Sequence, residues 1–362
     1  MQKRACPLPY KNVSRTEIAK TTLTVSYTSD LPQLSSKMAS SAAGFAIVTG
    51  ANTGLGLHFV KSLYASGTYS AIVLACRSEQ RAKSAIEQIR CGQSSPAENG
   101  NGTQTKLEFA KLDLTCNDSV RTFVSQLDER PYQKGSLRLL VNNAGIMGHP
   151  FQLVDGVEVH FASNHLGHFL LTNLLIKHNW LASDARILLV TSGLYEKCHS
   201  MLTAAELTTE AVAAKRSPAE YYAFSKLANC LHAVGLANRL STTAVACSFR
   251  DVKVVAIRPG FVRGTGLGRH TNSLLRMLAS PLIWMVAKNL DQGISSMLHC
   301  AQCDSAQLQN GALYYEGRVV PYNAMVTNEA AEKLWQMSEQ MTKEEENGER
   351  GQQQQNSEEQ QQ

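Results

Sequence analysis

The sequence predicts a single α/β domain built on a doubly wound parallel sheet, and two observations carry that expectation. Short apolar strands alternate with helix-compatible stretches at 45–49, 70–75, 107–112, 137–141, 186–191 and 252–257, the pattern of repeated βαβ units. The residues richest in chemistry fall at the carboxyl ends of those strands or on the helix that follows, where ligands bind in open parallel sheets.

Length and charge narrow the classes. The chain has 362 residues, 43% of them hydrophobic. No run of about 18 apolar residues occurs, so no transmembrane helix is expected. The formal charge of +5 is unevenly spread: residues 1–40 carry six Lys/Arg against Glu17 and Asp30, and residues 341–362 carry Lys343 and Arg350 against six Glu. Basic residues form no stripe between them, so nucleic acid is not an expected partner. Nine scattered cysteines read as reduced thiols in an intracellular protein, cytoplasmic or mitochondrial and not secreted. Cys300 and Cys303 have no second Cys or His pair at zinc spacing, and no metal site is expected.

Residues 1–40 have no clear period and are rich in Ser, Thr and Lys. They read as a disordered head, with Met38 as an alternative start, or as a targeting presequence. The strand at 45–49 runs straight into Gly50-Ala-Asn-Thr-Gly54-Leu-Gly56 and a helix at about 57–66. Strand, glycine turn and helix make the phosphate-cradling start of a Rossmann-type dinucleotide fold. Gly50 permits the tight turn, Gly54 lets backbone approach a pyrophosphate, and Gly56 allows close helix packing, with Asn52, Thr53 and Leu55 in the same cradle. The second strand leads into Cys76-Arg77 with no acid to hold a ribose 2′-hydroxyl. The Arg77 guanidinium suits a 2′-phosphate, which favours NADP(H) over NAD; the plainer alternative is a surface arginine at a helix start.

A helix at 79–90 and a Gly/Asn/Ser loop at 91–105 precede the third strand, after which Asp113 and Leu114 fall where an adenine ring would lie. A helix at 119–128 leads to the fourth strand and Asn142-Asn143-Ala144-Gly145. Small residues and amides there suit the floor beneath a cofactor, or an ordinary Asn/Gly turn. Residues 159–177 look helical, although Asn164 and Gly167 both lower helix propensity, which hints at a purpose. His165 and His168 are expected to pack or cap rather than ligate. The fifth strand ends at Ser192, and Pro218 breaks the chain just before a helix at 222–240.

In that helix Tyr222 and Lys226 lie four residues apart, on one face. A free tyrosine has a pKa of about 10 and is a poor acid or base near neutrality. An ammonium one turn away stabilises the phenolate and lowers that pKa. The tuned phenol is then a general acid for a carbonyl or a general base for an alcohol. The sixth strand ends at Arg258-Pro259-Gly260, and an apolar stretch at 274–286 follows. It suits an apolar substrate, contact with a membrane surface, or plain core packing. The Glu/Gln-rich tail at 342–362 is expected to be disordered.

Taken in order, Thr49-Gly50-x-x-x-Gly54-x-Gly56, Asn142-Asn143-Ala144-Gly145, Asn164, Ser192, Tyr222-x-x-x-Lys226 and Pro259-Gly260 resemble the short-chain dehydrogenase/reductase family over about residues 44–342. Ala75-Cys76-Arg77, Asn164-His165-Leu166-Gly167-His168-Phe169, Leu267-Gly268-Arg269-His270 and Glu332-Lys333-Leu334-Trp335 resemble its retinol dehydrogenase branch, including the X-linked dehydrogenase/reductase types. Protochlorophyllide reductases share parts of the pattern, including Thr265-Gly266-Leu267.

The resemblance implies hydride transfer from nicotinamide C4 to a carbonyl carbon. Tyr222 would protonate the oxygen, Ser192 would position it, and Lys226 would lower the tyrosine pKa and hold the nicotinamide ribose. Asn164 would hold a water linking Lys226 to solvent, and Val262, after Pro259-Gly260, would meet the carboxamide through its backbone. The implied protein is an NADP(H)-dependent oxidoreductase acting on a lipophilic alcohol or its aldehyde or ketone, retinoid-like, polyprenoid, steroid or lipid-derived. Its domain would span 41–341, with a substrate lid at about 261–290 and room for peripheral membrane contact and a homo-oligomer. A non-catalytic NADP(H)-sensing protein and a protochlorophyllide-type reductase are the alternatives. The intact Asn-Ser-Tyr-Lys set argues against the first, and light dependence would separate the second.

Overall fold

The computed structural model describes residues 44–92, 104–210, 216–242, 249, 251–262 and 288–343. Residues 1–40, 263–287 of the expected lid and the tail from 344 onward lie outside them. The strands are β1 (Phe45–Thr49), β2 (Ala71–Cys76), β3 (Lys106–Lys111), β4 (Leu137–Asn142), β5 (Leu153–Val154), β6 (Val157–Glu158), β7 (Leu181–Val190), β8 (Lys253–Ile257), β9 (Leu313–Tyr315) and β10 (Arg318–Val320). Val, Ile, Leu and Ala dominate β1 and β2, which are buried at every residue. That is the requirement for a parallel sheet covered on both faces.

Eight strands make one sheet in the order β10-β9-β8-β7-β4-β1-β2-β3. All pairings in it are parallel except the β9–β10 hairpin at one edge. The order reverses between β1 and β4, which opens a crevice at their carboxyl ends. The helices are α1 (Gly54–Ser66), α2 (Glu79–Cys91), α3 (Asn117–Gln126), α4 (Val159–Phe161), α5 (Gly167–Lys177), α6 (Ala204–Thr208), α7 (Pro218–Thr242), α8 (Leu290–Gln302) and α9 (Asn328–Thr342). Helices α1, α2 and α8 build one core with the sheet; α3, α5, α7 and α9 build the other. In α2 the buried face is Ala82, Ala85, Ile86 and Ile89, a three- and four-residue spacing, and Ser78 caps the helix by accepting from the Arg81 N–H.

Three elements depart from the sequence reading, each for a local reason. The stretch at 159–177 is not one helix: α4 passes through a π-turn at Ala162–Leu166 before α5 begins. Such turns place an extra residue in the ladder and recur at functional sites; this one carries Asn164. Gly167 packs so closely on the Leu114 carbonyl that no Cβ fits there. The helix bearing Tyr222 starts at Pro218 rather than after it. Proline is harmless in a first turn, where its missing N–H has no partner to lose. Ser217 Oγ accepts from Glu220 N at 3.3 Å while Glu220 Oε2 accepts from Ser217 N at 2.9 Å, a reciprocal cap. Finally, β7 begins at Leu181 because that residue pairs with Leu137 across a register irregularity.

Helix α9 docks on α7 through Trp335, whose ring lies 4.8 Å from that of Phe169 and 4.0 Å beneath the Arg239 guanidinium. Among the described residues no helix is long and apolar enough to cross a membrane, and no group of three or more His, Cys, Asp or Glu is placed to hold a metal.

Candidate active site

The glycine turn after β1 is fixed by main chain and by Thr49. Gly50 has φ +64, and a Cβ on it would fall 2.9 Å from Ala144 Cα. A Cβ on Gly56 would fall 2.5 Å from Asn143 Nδ2, so α1 and the β4 end approach closely, as the glycine spacing predicts. Thr49 Oγ1 accepts from the N–H groups of Asn143 and Ala144 at 2.9 and 3.0 Å, and Asn143 Nδ2 donates to the Thr49 carbonyl at 2.8 Å. Burial pushes the Cys76 thiol at the end of β2 up to about 11, with the main chain of Ala51, Asn52 and Gly50 pulling the other way, so the thiol stays neutral. Thr53 stands at the N-cap of α1 without a side-chain cap bond, and the first turn has no acid, so the positive helix end faces outward for an anion.

Arg77 is exposed directly beyond β2. Gly50 N donates to Ala75 O at 2.9 Å, so the turn and Arg77 share one edge of the sheet. Asp113, beyond β3, accepts from Thr115 N and Oγ1 at 3.0 and 2.7 Å, a local turn that occupies its carboxylate. Leu114 is buried. Pro259 is buried, Gly260 has φ +84 and Val262 forms a bridge with Lys288.

Ser192, Tyr222, Lys226 and Asn164 converge at the ends of β4 and β7. Tyr222 is 4% exposed. Burial pushes its phenol up, and a hydrogen bond with the Ser192 side chain pulls it back down. Ser192 Oγ also accepts from Leu194 N at 3.3 Å. Lys226 Nζ donates to the Val190 carbonyl at 3.0 Å and lies 5.9 Å from the Tyr222 ring centroid. Burial pushes its ammonium down to about 8, with the nearby Cys230 thiol pulling the other way. For Tyr222, burial is the larger of the two effects, so the phenol stays above its ordinary value. The neighbouring Tyr221 faces elsewhere: its hydroxyl donates to Glu206 O at 3.1 Å, and burial holds it at about 12.

Asn164 clamps the loop after Gly145. Its Oδ1 accepts from Ile146 N at 2.8 Å, and its Nδ2 donates to Ile146 O at 3.0 Å and to Ser225 Oγ at 2.9 Å. Its main-chain carbonyl accepts from His168 Nδ1 at 3.0 Å, and His168 Nε2 lies 2.8 Å from Thr49 Oγ1. Facing a carbonyl, Nδ1 must carry the proton, so Nε2 accepts from Thr49. Burial pushes His168 down to about 3, which keeps it neutral. A Cβ on Gly145 would meet Asn164 Oδ1 at 3.2 Å and Lys226 Nζ at 3.3 Å, so these three residues border one space.

Sequence reasoning assigned no role here to the Thr49 hydroxyl, His168, Cys76, Asn229 or the Glu158–His160 pair. Asn229 Nδ2 shares the Val190 carbonyl with Lys226, also at 3.0 Å; its place three residues after Lys226, on the same helix face, was the available signal. His160 Nδ1 donates to Glu158 Oε1 at 2.7 Å, both fully buried, and the His160 ring stands edge-on to Tyr222 with centroids 6.4 Å apart. Farther back, the rings of His165 and His232 lie 5.6 Å apart, and neither nitrogen of His232 has a hydrogen-bond partner among the described residues.

Comparison with known proteins agrees with this architecture. The family model for short chain dehydrogenase matches residues 44–204. Mouse (Mus musculus) retinol dehydrogenase 14 is 34% identical over 307 residues, covering 82% of this chain and 84% of the relative. Human (Homo sapiens) retinol dehydrogenase 12 is 31% identical over 296 residues, with coverages of 81% and 84%. The chloroplastic short-chain dehydrogenase TIC 32 B of Brassica napus is 30% identical over 304 residues, with coverages of 81% and 87%. The chain belongs to the short chain dehydrogenase family, whose members are oxidoreductases that use nicotinamide cofactors, and it lies in the retinol dehydrogenase-like branch. Solved structures share the fold. A short chain dehydrogenase from Shigella flexneri 2a complexed with NADP aligns with a TM-score of 0.53 at 16% identity, over 76% of this chain and 97% of that one. A 3-oxoacyl-[acyl-carrier protein] reductase from Brucella melitensis in complex with NAD aligns with a TM-score of 0.51 at 19% identity, over 76% and 96%.

The residues fit a nicotinamide dinucleotide. The glycine turn meets an acid-free helix start, and the missing side chain of Gly145 leaves space between Asn164 and Lys226.

Proposed function

We propose that this protein is an NADP(H)-dependent oxidoreductase that interconverts a lipophilic alcohol and its aldehyde or ketone, with Tyr222 as general acid and base. The observation that carries the reading is the buried Tyr222 phenol, hydrogen-bonded by Ser192 with Lys226 one turn away, at the carboxyl edge of the sheet. The nicotinamide, when bound, supplies or takes up the hydride.

The chain's own residues divide the remaining work. Ser192 orients the substrate oxygen towards the Tyr222 hydroxyl, which gives up or takes the proton. Lys226 places a positive charge beside the ribose and the phenol, and its lowered pKa makes that charge available for proton exchange near neutrality. Asn164 holds Ile146 and so keeps the loop after Gly145 open above Lys226. Gly50, Asn52, Thr53, Gly54, Leu55 and Gly56 receive the pyrophosphate at the start of α1, and Arg77 receives the 2′-phosphate. Asp113 and Leu114 flank the adenine; Asn143, Ala144 and Gly145 form the floor. Pro259, Gly260 and Val262 border the nicotinamide end.

An apolar substrate is favoured by two exposed side chains next to site residues: Leu194, 43% exposed, two residues after Ser192, and Phe261, 61% exposed, directly after Gly260. The retinol dehydrogenase relatives point the same way. The test is turnover by the purified full chain with NADPH and with NADH against apolar aldehydes and ketones, retinal-like and steroidal ones included, with short polar aldehydes as controls. Turnover of the apolar set with NADPH is expected. No turnover of any carbonyl, or of the matching alcohols with NADP, would overturn the reading.

A further inference from the structure

Arg258 follows β8 and is tied to the sheet by its own N–H, which donates to Tyr314 O at 2.9 Å. Its side chain turns towards the Ser192 loop. Nη1 donates to Glu196 Oε1 at 2.7 Å, and Cζ lies 5.1 Å from the centroid of the Tyr315 ring. The guanidinium also lies against the main chain of Gly193: a Cβ there would fall 2.8 Å from Nη2, 3.0 Å from Nε and 3.1 Å from Cζ. The Gly193 backbone is not in the left-handed region, so the glycine serves this close approach and not an unusual φ. Arg258 Nε is buried and has no hydrogen-bond partner among the described residues. Burying a donor in this way is unfavourable, so packing against Gly193 is kept at the expense of a hydrogen bond.

Gly193–Lys197 is a short 3-10 turn, and Ser192 is its N-cap. Tyr195 N donates to Ser192 O at 3.0 Å, and Leu194 N donates to Ser192 Oγ at 3.3 Å. The orientation of the Ser192 hydroxyl therefore follows the turn, and the guanidinium holds the turn at Gly193 and at Glu196.

We propose that Arg258 is a positioning residue for the reaction: wedged against Gly193 and anchored by Glu196 and Tyr315, it fixes the 193–197 turn and through it the Ser192 hydroxyl that faces Tyr222. This rests on the reading of Ser192 and Tyr222 given above. Among the described residues the groups facing Tyr222 are Ser192 from the end of β7, Lys226 from α7 and His160 from α4, with Glu158 bonded behind His160. Of these, Ser192 is the one whose loop Arg258 touches. Loosening the turn removes the hydrogen bond that pulls the phenol down against burial. Tyr222 then titrates higher, and the rising limb of kcat/KM for alcohol oxidation moves to higher pH.

The experiment combines Arg258→Met, Gly193→Ala and the double variant in the full chain, with kcat, KM, the pH profile, NADPH Kd and thermal unfolding as readouts. Small misplacements of reacting groups are expensive, so Arg258→Met should lower kcat about tenfold to a hundredfold. NADPH Kd should hold and the pH limb should move upward. Gly193→Ala should lower kcat in the Arg258 protein, because its methyl group meets the guanidinium, and should have little further effect once Arg258 is Met. Coupling of this kind is the signature of shared contact. Independent, multiplicative effects, or an Arg258→Met enzyme with wild-type kcat and pH limb, would overturn the proposal. If Arg258→Met does not fold, Glu196→Gln should move kcat and the limb in the same direction by a smaller amount, and an unchanged limb there overturns the proposal equally. Ser192→Ala and Tyr222→Phe separate the two levels: if they keep turnover, the reading of the site fails; if they lose it while Arg258→Met and Glu196→Gln do not, the role of Arg258 fails alone.

Discussion

At the carboxyl ends of β1 and β2 the site is made of main chain, whereas at the end of β7 and on α7 it is made of buried side chains. The first region offers the Gly50 turn, tied to β2 by the bond from Gly50 N to Ala75 O, and the open start of α1. Its single charged contributor, Arg77, stands exposed. The second region holds Tyr222, Lys226 and Asn164, all nearly or fully buried, each committed to named partners. Backbone geometry depends on glycine and turn chemistry, which are written locally. The chemistry of a buried phenol or ammonium depends on everything packed around it. The first region should therefore respond to substitutions through binding, and the second through turnover and pH.

The sharpest way to break this comparison is the tyrosine pair. Tyr222→Phe should lower kcat by about 10²–10⁴-fold, the range for a lost general acid, with NADPH Kd nearly unchanged. Tyr221→Phe removes the bond to Glu206 O, worth about 1 kcal/mol of stability, and should keep turnover. Comparable losses in both variants would mean that the region acts through packing and not through one phenol.

On the cofactor side the decisive change is Arg77→Asp. A charge-assisted hydrogen bond is worth about 1.5–3 kcal/mol, roughly ten- to a hundredfold in affinity. Wild type is expected to prefer NADPH over NADH by that margin, and the variant to lose or reverse the preference while kcat with saturating cofactor changes little. The measurement is Kd for both cofactors at one ionic strength. Equal binding by wild type would leave Arg77 as a surface residue at a helix start.

A smaller effect probes the buried histidines behind the catalytic side. Burial pushes His168 and His232 down to about 3, and His165 well below its usual range. In the unfolded chain each titrates near 6.5. The folded protein thus holds them neutral. Their contribution to stability is full above about pH 6.5 and is lost as pH falls from there towards 3, because the unfolded state takes up the protons. Each such histidine adds about 1.4 kcal/mol per pH unit to the slope within that window. His232→Phe removes one titrating group and two unpartnered nitrogens, so urea unfolding between pH 7 and 5 should show a shallower loss of stability. An unchanged slope would mean that His232 is solvated when folded.

Much of this site was legible in the chain. The glycine turn, the Asn142-Asn143-Ala144-Gly145 strand end and the four-residue spacing of Tyr222 and Lys226 are local patterns, and the structure places all of them along one edge of the sheet. Other features depend on distant partners. The start of α7 was misjudged because Pro218 marks a helix beginning as readily as an ending, and only the Ser217–Glu220 cap decides which. The purpose of Asn164 and Gly167 was signalled by their poor helix propensity, but the π-turn and the approach of the Leu114 carbonyl were not.

By itself the sequence determined the alternation of strands and helices, the glycine turn between β1 and α1 and the placing of Tyr222 and Lys226 on one helix face, because periodicity, glycine placement and helix spacing act over a few residues. Only the tertiary structure decided that burial raises the Tyr222 phenol against a bond from Ser192, that His168 ties Thr49 to the Asn164 carbonyl, and that Arg258 from the end of β8 leans on Gly193 beyond β7. Apart from the His168–Asn164 bond, which spans four positions, those contacts join residues separated by 30 to 119 positions. A pKa or a side-chain orientation set by burial is a property of the assembled core, and it does not exist until the sheet brings those positions together.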